Sequence, residues 1–98
     1  MEKFSNIIMG EKPVLVDFYA HWCGPCKTMS PILESLKQEF GERIRIIKID
    51  IDRNSQLCDS YSVRSVPTLI LYKDGNIVWR TSGAQPLNEL KKIISQHL

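Results

Sequence analysis

The sequence predicts an α/β fold in which a mixed β-sheet carries helices on both faces. Three features support this prediction: an apolar run at residues 13–20, a β-branched run at residues 43–51 and a hairpin signal at Asp74-Gly75. A helical pattern separates the two runs, so a right-handed crossover should make them parallel neighbours. The 98 residues suffice for one core, and residues 1–98 are expected to form a single domain.

The apolar spacing predicts the first half of the chain. Phe4, Ile7 and Ile8 recur at helical spacing and indicate a short first helix. The run "PVLVDFYA" is apolar on both faces and therefore belongs at the centre of the sheet. A long helix follows up to Gly41, with Pro31 expected to kink it. The run "RIRIIKIDI" is then a second strand.

Turn residues organise the second half. A short helix is expected around residues 55–61. The strands "PTLILYK" and "NIVWR" follow, joined by Asp74-Gly75 because the tight turn needs positive φ. Pro86 opens a last helix. The apolar stripe of that helix should be formed by Leu87, Leu90, Ile94 and Leu98.

The composition excludes several classes of function. The apolar fraction of 43% and the charged fraction of 24% are ordinary for a globular protein. A net charge of +2, with basic and acidic residues interleaved, gives no reason to expect a nucleic-acid partner. No apolar stretch reaches the length of a membrane span and no secretory signal is recognisable. We therefore expect no membrane partner. Three cysteines are an odd count that does not suit a secreted fold stapled by disulfides, so we expect a reducing compartment, the cytoplasm.

Cys23 and Cys26, in "HWCGPCK", lie where the first strand has ended and the long helix begins. Open α/β sheets place their sites at this carboxyl end of the strands, and a helix N-terminus favours a thiolate. One helical turn separates the two side chains, so a small adjustment brings them within disulfide reach. We predict a redox pair in which Cys23 is the exposed, low-pKa nucleophile and Cys26 resolves the mixed disulfide.

Two other interpretations of the pair are weaker. A disulfide closing so short a loop removes little entropy from the unfolded chain, so it would be a poor structural staple. Zinc needs about four ligands, and only Cys58, His21 and His97 remain to complete a set. Cys58 is expected to be a buried apolar residue, with a regulatory thiol as the alternative.

The segments "VDFYAHWCGPCK", "VPTLILYKDG" and "SGA", in that order, resemble the thioredoxin family across essentially the whole chain. The resemblance implies a thioredoxin fold with a central mixed sheet flanked by about four helices. Only three residues precede Phe4, so the N-terminal strand of the family is expected to be missing or vestigial. The sheet would then have four strands, with residues 43–50 at its edge.

The resemblance also implies an activity and its partners. The chain would reduce protein disulfides by dithiol–disulfide exchange, with disulfide-containing client proteins and a thioredoxin reductase as partners. Electrons would come from NADPH through this separate flavoprotein. No bound cofactor or metal would be needed beyond the redox-active Cys23–Cys26 disulfide, and a monomer is expected. The alternatives are an oxidising or isomerising protein of the same fold, which the Gly-Pro between the cysteines disfavours, or a binding subunit with incidental thiols.

Asp17 and Lys48 are lone charges in the first two strands. Burial should raise the pKa of the Asp17 carboxyl, and isolated buried charges are costly, so the two are expected to pair behind the disulfide. The resemblance implies that Asp17 relays a proton to or from Cys26. The alternative is an aspartate that merely ends the strand or caps a turn.

The resemblance further implies a substrate groove beside the cysteines. It includes a cis peptide before Pro67 and a Val66 backbone that pairs with an extended substrate. The remaining groove residues would be Trp22, Gly24, Pro25, Thr68, Gly83 and Ala84. For Trp22 the alternative is a role in packing alone. His21 precedes Cys23 by two residues, and it either favours the thiolate or is simply exposed.

Overall fold

The computed structural model describes residues 3–98, and the predicted elements are all found in that range. In chain order they are α1 (Phe4–Ile7), β1 (Val14–Tyr19), α2 (Gly24–Phe40), β2 (Arg45–Asp50), α3 (Ser55–Ser60), β3 (Thr68–Lys73), β4 (Asn76–Ser82) and α4 (Leu87–Ser95). Short 3₁₀ turns follow α2 and β2, at Gly41–Arg43 and Ile51–Arg53. None of the helices in the described range is long and apolar enough to cross a membrane.

The sheet confirms the predicted mixed architecture. Its strand order is β2-β1-β3-β4, with β1 and β2 parallel and the other two pairs antiparallel. The strand β1 is central, as its apolar pattern predicted, and β2 is an edge, as the family resemblance implied. Within residues 3–98 the sheet has four strands. The expectation about a further N-terminal strand also involves residues 1–2, which lie outside the described residues.

Alternation along the central strands creates two cores, one on each face of the sheet. Leu15, Leu69 and Leu71 face α2 and α4, where the buried Met29 and Leu36 complete the cluster. The residues that point the other way pack against Ile8, Cys58 and Val63, which lie in or beside α1 and α3; they are Val14, Val16, Phe18, Ile70 and Tyr72. Both faces of β1 are therefore buried, and Tyr19 at its carboxyl end packs against the cluster of Ala20, Cys23 and Cys26.

The long helix α2 buries one stripe and ends where the sequence indicated. Gly41 follows it with φ of 56°, a left-handed conformation that glycine adopts at little cost. In α4, Leu90 and Ile94 are buried as expected. The predicted stripe is wrong at Leu98, whose side chain is 48% exposed because the helix ends at Ser95.

The hairpin between β3 and β4 has the predicted two-residue turn. Asp74 and Gly75 have φ of 54° and 81°, and Lys73 pairs with Asn76 across the turn. Positive φ at both central residues gives the turn a twist that matches the strands. The backbone N–H of Gly75 also donates to the carbonyl of Ile8, so the turn fixes the segment after α1.

We expect Gly75→Ala to destabilise the protein by about 1–2 kcal/mol, because an L-residue pays a steric cost in the left-handed region. The added Cβ would also meet the Sδ of Met9, an exposed and flexible side chain that can move away. Urea unfolding measures the change. Asp74→Asn is the matched control, expected within about 0.5 kcal/mol of wild type because Asn tolerates positive φ. Equal stability of wild type and Gly75→Ala would contradict the positive φ at Gly75.

Candidate active site

Cys23 and Cys26 are joined in a disulfide at the N-terminus of α2, with their Cα atoms 5.3 Å apart. Cys23 is the residue that caps the helix, and its Sγ accepts a hydrogen bond of 3.1 Å from the backbone N–H of Cys26. The first turn of a helix has unpaired N–H groups and the positive end of the helix dipole. A thiolate at Cys23 would therefore be stabilised where the sequence analysis predicted it.

The cysteine pair is more enclosed than the sequence suggested. Both residues are only 4% exposed and pack with Ala20, against the half-buried Ile51 and Val66. The prediction that Cys23 is exposed is wrong for this disulfide form. The residues that cover it come from the turn after β2 and from the segment before β3, which are distant in sequence.

The segment before β3 and the segment after β4 meet beside the cysteines. The Val66-Pro67 peptide is cis, as the family resemblance implied. The backbone N–H of Gly83, whose φ is 91°, donates to the carbonyl of Pro67 over 2.8 Å. Gly24 and Pro25, in the first turn of α2, are exposed, as is Ala84, whereas Gly83 is half-buried. By contrast, the Thr68 side chain is buried and its hydroxyl donates to the Ser65 carbonyl over 2.7 Å.

Trp22 and His21 are each attached to acidic residues at the end of β2. The indole Nε1 of Trp22 donates to Asp52 over 2.9 Å, although 68% of the residue is exposed. His21 Nε2 lies 3.3 Å from a carboxylate oxygen of Asp50, and its ring packs edge-on against Tyr19. Asp50 in turn accepts from the backbone N–H of Asp52. His21 is thus exposed but oriented, with its imidazole bonded to Asp50.

Asp17 is fully buried in β1, on the face of the sheet that packs against α2. Neither of its carboxylate oxygens has a hydrogen-bond partner among residues 3–98. Burial therefore raises the pKa of Asp17 to about 6, and the nearby charge of Lys48 opposes this rise. The sequence-based expectation of a raised pKa is confirmed, with desolvation as the dominant cause.

The prediction that Asp17 and Lys48 form a buried ion pair is wrong. The two residues are register partners on neighbouring parallel strands, as expected. Lys48 is nevertheless exposed, and its ammonium donates to Ser30 rather than to the carboxylate. An ammonium on an edge strand can stay hydrated, which avoids the cost of burying a second charge.

Cys58 is buried in α3, as predicted, and burial raises the pKa of its thiol. Asp59 and Asp50 raise it further. Both effects disfavour the thiolate, so Cys58 is a poor nucleophile at neutral pH. Within residues 3–98 no group of His, Cys, Asp and Glu side chains is arranged to hold a metal ion.

Two acidic residues that no sequence prediction included hold the segment before α2 in place. Asp50 and Asp52, which bind His21 and Trp22, lie in the motif "IDIDR" at the end of β2. A signal was present, because the carboxyl ends of neighbouring parallel strands meet at one edge of a sheet. Ser30, the partner of Lys48, had no such signal, since a single serine in a helix is common.

Comparisons with known proteins agree with this geometry. The family model described as Thioredoxin matches residues 1–96. The thioredoxin of Bacillus subtilis is 46% identical over 88 residues, which cover 90% of this chain and 85% of that protein. The thioredoxin of Haemophilus influenzae is 40% identical over 94 residues, covering 96% of this chain and 88% of that protein.

Solved structures show the same likeness. The thioredoxin of Malassezia sympodialis superposes with a TM-score of 0.86 at 35% identity, covering 96% of this chain and 82% of that one. The oxidised mitochondrial thioredoxin 3 of Saccharomyces cerevisiae gives a TM-score of 0.85 at 36% identity, with 95% and 86% coverage.

The fold and the cysteine pair at the start of α2 define a protein that exchanges dithiols with disulfides. The chain belongs to the thioredoxin family. It is a thiol–disulfide oxidoreductase, and like other members it reduces disulfides through its active-site cysteine pair.

The raised pKa of Asp17 links stability to pH. Folding favours the protonated carboxyl, so its contribution is present below about pH 4 and is lost as the pH rises through about 6. We expect oxidised Asp17→Asn to exceed wild type in unfolding free energy by roughly 2–3 kcal/mol at pH 7.5, and by much less at pH 4. Urea unfolding at both pH values measures this. Asp59→Asn, at an exposed site, is the control. A difference that does not change with pH would contradict the raised pKa.

Proposed function

We propose that the protein reduces disulfides in client proteins through two exchange steps with distinct roles for its cysteines. The Cys23 thiolate attacks one sulfur of the client disulfide, forms a mixed disulfide and releases the other client sulfur as a thiolate. Cys26 then attacks Cys23 Sγ, which re-forms the Cys23–Cys26 disulfide and releases the second client thiolate. The client gains two electrons, and the protein is oxidised by the same two.

The observation that carries this proposal is the position of the disulfide across the first turn of α2. Cys23 accepts the N–H of Cys26 and lies at the positive end of the helix, which favours it as the thiolate. Cys26 is inside the helix and one turn away, so it can reach Cys23 without a large movement.

We further propose that Asp17 and Lys48 assist the second step. Cys26 must lose its proton to attack, and the carboxylate of Asp17 would take that proton up. With a pKa near 6, this carboxylate is mostly ionised at neutral pH yet remains basic enough to accept a proton. The charge of Lys48 would keep the pKa of Asp17 from rising further.

The client would bind across the exposed segments around the disulfide. The half-buried Val66 packs on the cysteine cluster. The exposed Trp22 immediately precedes Cys23 in the sequence. The backbone of Val66 would pair with an extended client strand, as in strand addition. The other residues proposed to line the groove are Gly24, Pro25, Pro67, Thr68, Gly83 and Ala84. For Thr68 the contact would be through its backbone, since its hydroxyl is engaged.

The remaining proposals concern the cellular setting. Residues 1–98 would act as a single thioredoxin domain and as a monomer in the cytoplasm. A thioredoxin reductase, a flavoprotein that uses NADPH, would return the disulfide to the dithiol, which makes the protein an electron carrier. The family membership supports these proposals, and no bound cofactor is required for the exchange steps.

Reduction of insulin tests the activity. Wild type with dithiothreitol should accelerate precipitation of the insulin B chain, and Cys23→Ser should abolish the acceleration. Cys26→Ser should instead accumulate a mixed disulfide through Cys23, visible by mass spectrometry, because the second step is lost. Cys58→Ser is the matched control and should retain wild-type rates. A mixed disulfide formed through Cys26 would overturn the assigned roles.

The role of Asp17 is tested by following resolution of a preformed mixed disulfide against pH. General bases often contribute ~100-fold, but a thiol ionises by itself as the pH rises, so we expect Asp17→Asn to be roughly tenfold slower at pH 7. The deficit should shrink towards pH 9. Asp59→Asn should behave as wild type. If Asp17→Asn resolves at the wild-type rate across pH 6 to 8, Asp17 is not the proton acceptor.

A further inference from the structure

The ammonium of Lys48 is held by two side chains from other elements. It donates to the hydroxyl of Ser30, in α2, over 3.2 Å. It also lies 4.9 Å from the centre of the Tyr19 ring, a cation–π distance. An exposed lysine on an edge strand normally samples many rotamers. These two contacts therefore restrict the positions that the Lys48 ammonium can take.

The held charge faces a pocket that reaches the redox centre. The pocket has a volume of about 200 Å³, and its walls include Cys26, Ser30, Tyr19 and Lys48. Ser30 is half-buried and lines this pocket, and its hydroxyl accepts the hydrogen bond from Lys48. The ammonium thus lies at the same opening as the sulfur that must lose a proton.

The charge also acts on Asp17. In the parallel pair, Asp17 and Lys48 are register partners, so both side chains lie on the α2 face of the sheet. In the part of the chain that the structure describes, the carboxylate has no hydrogen-bond partner, and the charge of Lys48 acts on it through space. Around it, β3 offers the apolar Leu69, whereas α2 and the preceding turn bring Cys26, Lys27 and His21 to the pocket. Of these groups, Lys48 is the one with a resolved effect on the carboxyl pKa.

We propose that Ser30 and Tyr19 are positioning residues for the resolving step, because they hold the Lys48 ammonium where its field keeps Asp17 ionised. This inference rests on the proposed proton transfer from Cys26 to Asp17. The hydroxyl supplies a directional acceptor and the ring supplies a broad attractive face. Without them the ammonium extends into water, where its effect on Asp17 is screened.

The first test is an NMR titration of the Asp17 carboxyl carbon in the oxidised protein. Ser30→Ala should move the midpoint upward by roughly half a pH unit, since partly exposed charge pairs have effects of this size. Lys48→Met should move it upward by at least as much. Ser30→Ala added to Lys48→Met should produce no further change, because the charge that Ser30 positions is gone.

Matched variants separate positioning from a merely structural effect. Ser30→Thr keeps the hydroxyl and should titrate as wild type. Ser35→Ala, at a half-buried serine of the same helix, should also leave the midpoint unchanged. Tyr19→Phe keeps the aromatic face and should match wild type, whereas Tyr19→Leu should raise the midpoint. An unchanged or lowered midpoint in Ser30→Ala would overturn the inference, as would an equal shift in the Lys48→Met background.

A kinetic measurement distinguishes this inference from the proposal on which it rests. If the Asp17 midpoint rises in Ser30→Ala, the pH profile for resolution of the mixed disulfide should shift upward by the same amount. A shifted midpoint with an unshifted profile would reject Asp17 as the proton acceptor and leave the positioning of Lys48 intact. An unshifted midpoint, with Asp17→Asn still slow at pH 7, would reject the positioning and leave the proton transfer intact.

Discussion

The burial of β1 is the constraint on which the rest of the molecule depends. This strand has neighbours on both edges and a hydrophobic core on each face, with Leu15, Val16 and Phe18 fully enclosed. Close packing on all sides restricts how far the strand can shift. The short turn that follows places Cys23 at the cap of α2. The packing of the most buried strand therefore helps to fix the position of the redox pair.

The same burial creates the electrostatics of the site. A carboxyl in the middle of β1 loses its water, and no hydrogen bond from the described residues replaces it. Asp17 therefore keeps its proton well above the pH at which an exposed aspartate ionises. Lys48, on the edge strand, counteracts this from a hydrated position. The protein thus keeps one costly charge inside and leaves the compensating charge outside, which avoids two desolvation penalties.

Much of this architecture was predictable because it follows from local rules. Apolar runs identified β1 and the stripe of α2, and the Asp74-Gly75 turn identified the hairpin. The failures share one cause. The exposure of Cys23 and of Lys48 depends on which distant segments cover them, and Leu98 was placed in a stripe that the helix does not reach. Periodicity describes one element at a time and carries no information about its neighbours.

The order of residues alone indicated three features of the site: the redox pair, its place between a strand and a helix, and the unusual acid in β1. These could be derived because spacing and polarity act over a few positions of the chain. The contacts that complete the site could not. Asp50 and Asp52 bind the segment before α2, and Ser30 binds a lysine 18 residues away. These partners become neighbours only when the parallel strands align and α2 packs across them, so their pairing is a property of the assembled fold.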